Sequence, residues 1–421
     1  MEIMNICGIV TEYNPLHLGH AYQIEAAKTT TNAQGVVLIM SGNFVQRGEP
    51  AVINKYLRTQ AALHTGVDLV LELPTYFATA SAEYFSHMAI KLLNATGITT
   101  HLNFGSESGL IDDLVQIADV LHNEPIGFRY LLNEYLSTGD TFPKAREKAL
   151  FKYVHNHHLM SVETAKAIKT PNNILGIEYI KALKRHNSKI IPTTVKRIGS
   201  EYHDENSTTT IPSATAIRKY LREHDMHTPL SDKLPIYSYN ILENAIHSGE
   251  GPIFYDMIFP FLKYKILAST PEVLRTYQDV NEGLEYKIIE AALHAFDYDS
   301  LVNKILSKRY TRTKVARALL HIYLGHDQKT FELLSAKMKP YLKVLGFNPK
   351  GQEMLKAIKK YDEDLPIIVN IRQGCKQLDD LQLLSYKADL NSTLHYNHLI
   401  HFYYGTKMKN EFETPIIRLP L

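Results

Sequence analysis

Two histidines, His17 and His20, stand three residues apart where an apolar run over residues 6–10 gives way to a helical pattern over residues 21–28. Pro15 has no amide hydrogen and holds Asn14 in extended geometry, so this pattern predicts a strand that stops here and a helix that begins shortly after. Imidazoles at this spacing near a helix start share one face. There the free backbone N–H groups and the positive end of the helix dipole favour an anion, and histidine donors add hydrogen bonds to phosphate oxygens. Gly19 removes the side chain that would keep a flat base or a phosphate off the backbone. Far downstream, Ser213-Ala214-Thr215-Ala216-Ile217-Arg218 opens a second helical pattern, with Ser213 placed to cap it and Arg218 about one turn in, able to reach a phosphate. Lys55, at the head of a helical pattern over residues 55–64, is either a further cation for the same site or a solvated helix residue. His17, His20, Lys55 and Arg218 together suit substitution at phosphorus, in which the protein positions the groups and neutralises developing negative charge without a covalent nucleophile.

The elements that must position these residues alternate. Residues 36–40 form a continuous apolar run ending in Ser41-Gly42, the pattern of a strand buried on both faces. The helical pattern at 55–64 follows, then a strand at 68–73 closed by Pro74, a helix at 81–94, a strand at 101–104 with the Gly-rich exit Gly105-Ser106-Glu107-Ser108-Gly109, and a strand at 189–197 in which Pro192 argues for an edge or entry position. This alternation predicts a parallel sheet with helices on both faces and ligands at the carboxyl ends of the strands. Residues 112–184, mostly helical and broken by Pro125, Pro143 and Pro171, read as an insertion that returns to the sheet; residues 199–210 read as a polar loop, either a lid or a surface connection. The expected division is residues 1–228, ending near His227-Thr228-Pro229, and a mostly helical part at 229–421, with possible strands at 342–345 and 367–369.

A chain of 421 residues with 45% apolar and 21% charged residues and a net charge of +2 has room for two or three domains and is not a globally basic nucleic-acid binder, so any RNA surface must be local. The candidate is Lys304, Lys308, Arg309, Arg312, Lys314 and Arg317, with Tyr310 among them for stacking. Cys7 and Cys375 are the only cysteines, which excludes a disulfide framework and a Cys-based metal site and fits a reducing cytoplasm. No apolar run approaches the roughly 18 residues a membrane span requires, so a cytoplasmic protein without a membrane partner is expected.

The H-x-G-H set at residues 17–20 after a strand, with the S-x-T-x-x-R set at residues 213–218, resembles the paired signatures of the nucleotidylyltransferase superfamily. With residues 8–15 (GIVTEYNP), 41–51 (SGNFVQRGEPA), 104–109 (FGSESG) and 171–176 (PNNILG), and with residues 282–285 and 308–313, nearly the whole chain is similar to the bacterial tRNA(Met) cytidine acetate ligases. That resemblance implies a Rossmann-like nucleotidylyltransferase domain with a mostly helical C-terminal part. It implies ATP-dependent activation of acetate as acetyl-adenylate, then acetylation of the exocyclic amine of the wobble cytidine of elongator tRNA(Met). Carried over by position, it implies an ATP site of Val10, Thr11, Glu12, Tyr13, Asn14, Pro15, Leu16, His17, Leu18, Gly19, His20, Ala21, Tyr22 and Gln23, with Gly105, one of Asn172 and Asn173, Arg197 and Ser213. With that resemblance the basic cluster is expected to contact tRNA through Lys308, Arg309, Arg312, Lys314 and Arg317, and Mg²⁺ is expected to be carried by the ATP phosphates rather than by a dedicated protein site. The other readings open at this point are an adenylyltransferase of a small metabolite and a non-catalytic RNA-binding protein with a relic ATP site.

Overall fold

The computed structural model describes residues 5–159, 165, 169–197, 212–224 and 230–420. Its spine is a sheet whose strands we number β1 (Ile6–Thr11), β2 (Gly35–Ser41), β3 (Leu69–Leu73), β4 (Thr99–Ser106), β5 (Ile191–Lys196), β6 (Leu342–Phe347) and β7 (Ile417–Arg418). They lie in the order β7-β6-β3-β2-β1-β4-β5, with the short strand Ile367–Ile368 also paired to β6. From β3 to β5 every pairing is parallel. The chain runs outward from β1 through β2 to β3, then returns to the other side of β1 for β4 and β5. The strand order therefore reverses between β1 and β4, where the carboxyl ends of two neighbouring strands diverge and leave a crevice.

The central strands are buried on both faces, which explains their unbroken apolar runs. Ile6, Val37, Ile39, Leu69 and Leu71 enter one core, while Cys7, Ile9, Val36, Leu38, Met40 and Val70 enter the core on the opposite face. Pro192 lies in β5, an edge strand, as expected. The prolines that seemed to break the helical stretch start its helices instead: Pro125 precedes Ile126–Ser137, Pro171 opens Pro171–Arg185, and Pro143 is the second residue of Phe142–His157. At a first turn the missing N–H costs no intrahelical bond.

The C-terminal half is mostly helical and also returns to the sheet. Residues 342–347 and 367–368 are strands; β6 pairs antiparallel with β3, and β7 adds parallel to β6. Phe331, Leu334, Tyr341, Met354 and Ile358 share the first core with β1 to β3. Helices over residues 259–324 form a separate core around Leu262, Ile288, Leu319 and Ile322, into which Phe44 inserts from the loop after β2. The expected division near residues 227–229 and the polar loop at 199–210 lie outside the described residues.

Candidate active site

β1 ends at Thr11, and the helix that follows, α1 (Leu18–Thr31), begins beneath the crevice. His17 is its N-cap. The Gly19 amide donates to His17 Nδ1 at 3.0 Å, and the His17 amide donates to His20 Nδ1 at 3.3 Å, so two imidazoles make the reciprocal pair that a serine and a glutamate usually make. Both Nδ1 atoms accept, so each ring carries its proton on Nε2. The rings stack at 3.8 Å, with Tyr13 against His20 at 4.8 Å. Burial pushes His17 down to about 4, helped by the charge of Arg197, and burial, His17 and Arg197 hold His20 well below the usual histidine range. Both are therefore neutral near pH 7, with Nε2–H as the remaining donor.

The cations come from two other elements. Arg197 follows β5; its amide donates to the Ser106 carbonyl at 3.0 Å, and its Nε is buried without a hydrogen-bond partner. A Cβ on Gly105 would lie 3.3 Å from Arg197 Cγ, so a larger residue there would press on the guanidinium. Arg218, one turn into the helix Ala214–Glu223, donates to the Asn14 carbonyl at 2.8 Å and pairs with Glu49 at 2.5 Å. Asn14 Nδ2 is a second buried donor without a partner. Paired histidines, two arginines and unused buried donors converging on one strand-end crevice fit a polyanion.

Several side chains of the 10–23 segment are buried or engaged within the protein. Tyr13 and Leu16 are buried in the core beneath β1, and Pro15 is buried. Glu12 accepts from the Gln46 amide at 2.8 Å, and the Leu18 amide donates to the Lys233 carbonyl at 3.1 Å. Val10, Thr11, Ala21 and Gln23 are half-buried and Tyr22 is exposed. Ser213 accepts from the Ala216 amide at 3.2 Å, the cap expected of it. Asn172 and Asn173 are both engaged by Glu107: its carboxylate accepts from the Asn172 side-chain amide at 2.6 Å and the Asn173 backbone amide at 2.9 Å, while Asn173 Oδ1 accepts from the Glu107 amide at 2.9 Å. The start of this helix thus holds Glu107.

Two expectations are corrected. Lys55 does not face the crevice: it is fully buried, with its ammonium between Glu72 and Glu411. Tyr310 is not open for stacking: it is buried, and its hydroxyl donates to the Glu282 carbonyl at 2.6 Å. Around it Lys308 is exposed, Arg309 pairs with Glu282 at 3.1 Å, Arg312 with Asp299 at 2.5 Å and Arg317 with Asp279 at 3.2 Å, and Lys314 bonds Asn281 at 3.2 Å. Glu49, Glu107 and Arg58 were missed. Arg58, buried and lowered by that burial to about 10, donates to the carbonyls of Glu12, Gly42 and Ile53 and so staples the turns after β1 and β2. The only signal for Glu49 and Glu107 was charge inside Gly-rich turns after apolar strands, and Arg58, inside the helix Lys55–His64, gave none.

The HIGH Nucleotidyl Transferase family matches residues 4–411. A tRNA(Met) cytidine acetate ligase of Halothermothrix orenii is 42% identical over 99% of this chain and 100% of its own, and one of Clostridium novyi is 43% identical over 94% and 95%. The chain belongs to the tRNA(Met) cytidine acetate ligase family. Among solved structures, Thermotoga maritima TmcAL bound with alpha-thio ATP superimposes with a TM-score of 0.92 at 33% identity, covering 99% of this chain and 100% of that one. For a tRNA(Met) cytidine acetate ligase family member the likeness thus spans both the sheet and the helical C-terminal part. Among the described residues no cluster of His, Cys, Asp and Glu could hold a metal ion, and no helix is long and apolar enough to cross a membrane.

Proposed function

We propose that this chain is an ATP-dependent ligase that activates acetate as acetyl-adenylate and acetylates the exocyclic amine of the wobble cytidine of elongator tRNA(Met). The observation that carries the reading is the pair of neutral, Nε2-protonated imidazoles at the start of α1, beside Arg197 and Arg218 at the point where the strand order reverses. In the first step an acetate oxygen attacks the α-phosphorus of ATP and the bond to the bridging oxygen breaks, releasing pyrophosphate. Neutral imidazole N–H groups and guanidinium groups stabilise the charge that accumulates on the phosphate oxygens without having to give up a proton. In the second step the cytidine amine attacks the acetyl carbonyl, AMP leaves, and the amine loses its proton. Val10 to Gln23, Gly105, Arg197, Arg218 and Ser213 form the ATP site of this reading, with Asn172 and Asn173 shaping its wall through Glu107. Mg²⁺ would come with the nucleotide and would offset the charge of its phosphates.

The test is twofold. Acetate should stimulate exchange of labelled pyrophosphate into ATP without RNA, and incubation with ATP, acetate and bulk tRNA should produce acetylated cytidine, read by nucleoside mass spectrometry. Exchange that ignores acetate but responds to a small nucleotide acceptor would point instead to an adenylyltransferase.

Lys308, Arg309, Arg312, Lys314 and Arg317 are the proposed tRNA contacts. Arg309 and Arg312 are exposed and paired with single carboxylates, pairs that contribute little to stability. Reversing both charges should weaken tRNA binding about tenfold or more at low salt and flatten its salt dependence, because each phosphate contact releases counterions. Acetate-dependent exchange should stay unchanged. Equal tRNA affinity in the variant, measured by filter binding across a salt series, would remove this cluster from the interface.

A further inference from the structure

The loop after β2 folds into a two-residue hairpin, Phe44–Val45 against Glu49–Pro50, whose tip is held on three sides. The Gln46 amide donates to Glu12, just past β1. Gly48, at φ +82, sits so close to the helix Arg312–Leu324 that a Cβ would lie 2.5 Å from Ala316 C and Arg317 N. Phe44 anchors the base in the helical core. Arg47 lies between the two pinned residues 46 and 48, so its Cα has little freedom, and its guanidinium donates to the Thr215 hydroxyl at 3.1 Å.

Arg218 reaches the same hydroxyl at 3.5 Å, which brings two guanidinium groups onto one oxygen. Arg197 is near enough for the Arg47 charge to oppose its own. Glu49 pairs with Arg218 and also feels the charge of Arg47, and Glu107 offsets Arg197; Arg47 has no carboxylate within ion-pair distance among the described residues, so three guanidinium groups share these two carboxylates. Like charges gathered this closely are repulsive unless an anion sits among them. Thr215 is the second residue of the helix Ala214–Glu223, so the amides of that helix start face the same space.

We propose that Arg47 is a further substrate-binding residue that grips the polyphosphate of the nucleoside triphosphate beyond the α-phosphate, from a hairpin seated on the helix of the basic cluster. This deepens the proposed function and rests on its nucleotide site. Bound there, the guanidinium meets charge that grows as the bond to pyrophosphate breaks, so it acts on turnover as well as on binding.

The experiment compares ATP, AMP and inorganic pyrophosphate binding to wild type, Arg47→Ala and Arg47→Lys by calorimetry, together with exchange kinetics. Arg47→Ala should weaken ATP and pyrophosphate about 10- to 100-fold while AMP stays within about twofold, and Arg47→Lys should recover part of the loss. Retained AMP binding also certifies that the variant is folded. An unchanged ratio of ATP to AMP affinity would overturn the proposal, as would a variant that loses tRNA affinity alone, which would assign Arg47 to the RNA backbone. If the wild type shows no acetate-dependent exchange, the ligase reading fails while the ATP-to-AMP comparison still decides the role of Arg47.

Discussion

Alanine in place of His20 is expected to lower acetate-dependent pyrophosphate exchange by about 10²- to 10³-fold, the usual cost of removing one donor aimed at developing charge. His17→Ala should lose as much activity and in addition about 1 kcal/mol of stability, because His17 Nδ1 caps α1 by accepting from Gly19. His17→Asn separates the two effects: it can still cap, so stability should return while exchange does not. The protonation states add a second arm. His17 is held near 4 in the folded protein against 6.5 unfolded, chiefly by burial and then by Arg197. The unfolded chain therefore takes up the extra proton first as pH falls. This contribution to stability is fully present above pH 6.5 and drains away between 6.5 and about 4, reaching about 3 kcal/mol. Denaturant midpoints across that window should fall for the wild type and fall less steeply for His17→Asn, in which His20 and the other buried histidines still titrate. Between pH 6 and 8 both rings stay neutral, so the exchange rate should show no inflection from them. A steep rise in rate on acidification from pH 8 to 5 would mean that imidazolium is the working form, and the neutral-donor account would be lost.

The features legible in the sequence are those whose cause is local. Continuous apolar runs such as residues 36–40 mark strands covered on both faces, and the histidine and arginine sets announce themselves by spacing next to strand and helix boundaries. The unread features depend on partners far along the chain. β6 carries Lys343 and pairs antiparallel with β3, a contact that no local periodicity encodes. Glu107 reads as a polar turn residue until Asn172 and Asn173 arrive to donate to its carboxylate. Tyr310 looks available beside so many cations, yet the Glu282 carbonyl draws its hydroxyl inward. The hairpin at residues 44–50 belongs to the same class: its residues are recognisable as a turn, and only the fold shows that Glu12, Thr215 and the helix at 312–324 converge on it.

Lys55 is the sharpest case, because its burial reverses the expected phenotype. Its ammonium contacts both oxygens of Glu72, at 2.8 and 2.9 Å, and also Glu411; Lys343 completes the ring, 2.7 Å from each of the same carboxylates. The four charges cancel, and burial, which alone would raise the Glu411 carboxyl, is overcome by Lys343 and Lys55, which hold it low. The ring joins the start of the helix Lys55–His64, β3, β6 and the segment after the long helix Asp380–Tyr404, so the end of the chain is fastened to the sheet by charge. Lys55→Met leaves two buried carboxylates facing one ammonium, and breaking such an arrangement costs about 3–5 kcal/mol, a large part of the stability of an ordinary protein. The expected result is a marked fall in the urea midpoint, with exchange activity per folded molecule close to wild type. Adding Glu411→Gln to Lys55→Met restores the balance of charge and should recover part of the lost stability, a coupling that independent sites would not show. A Lys55→Met protein as stable as wild type but with kcat reduced 100-fold would put the ammonium back in the chemistry and would mean that the ring is not what fastens the C-terminal segment.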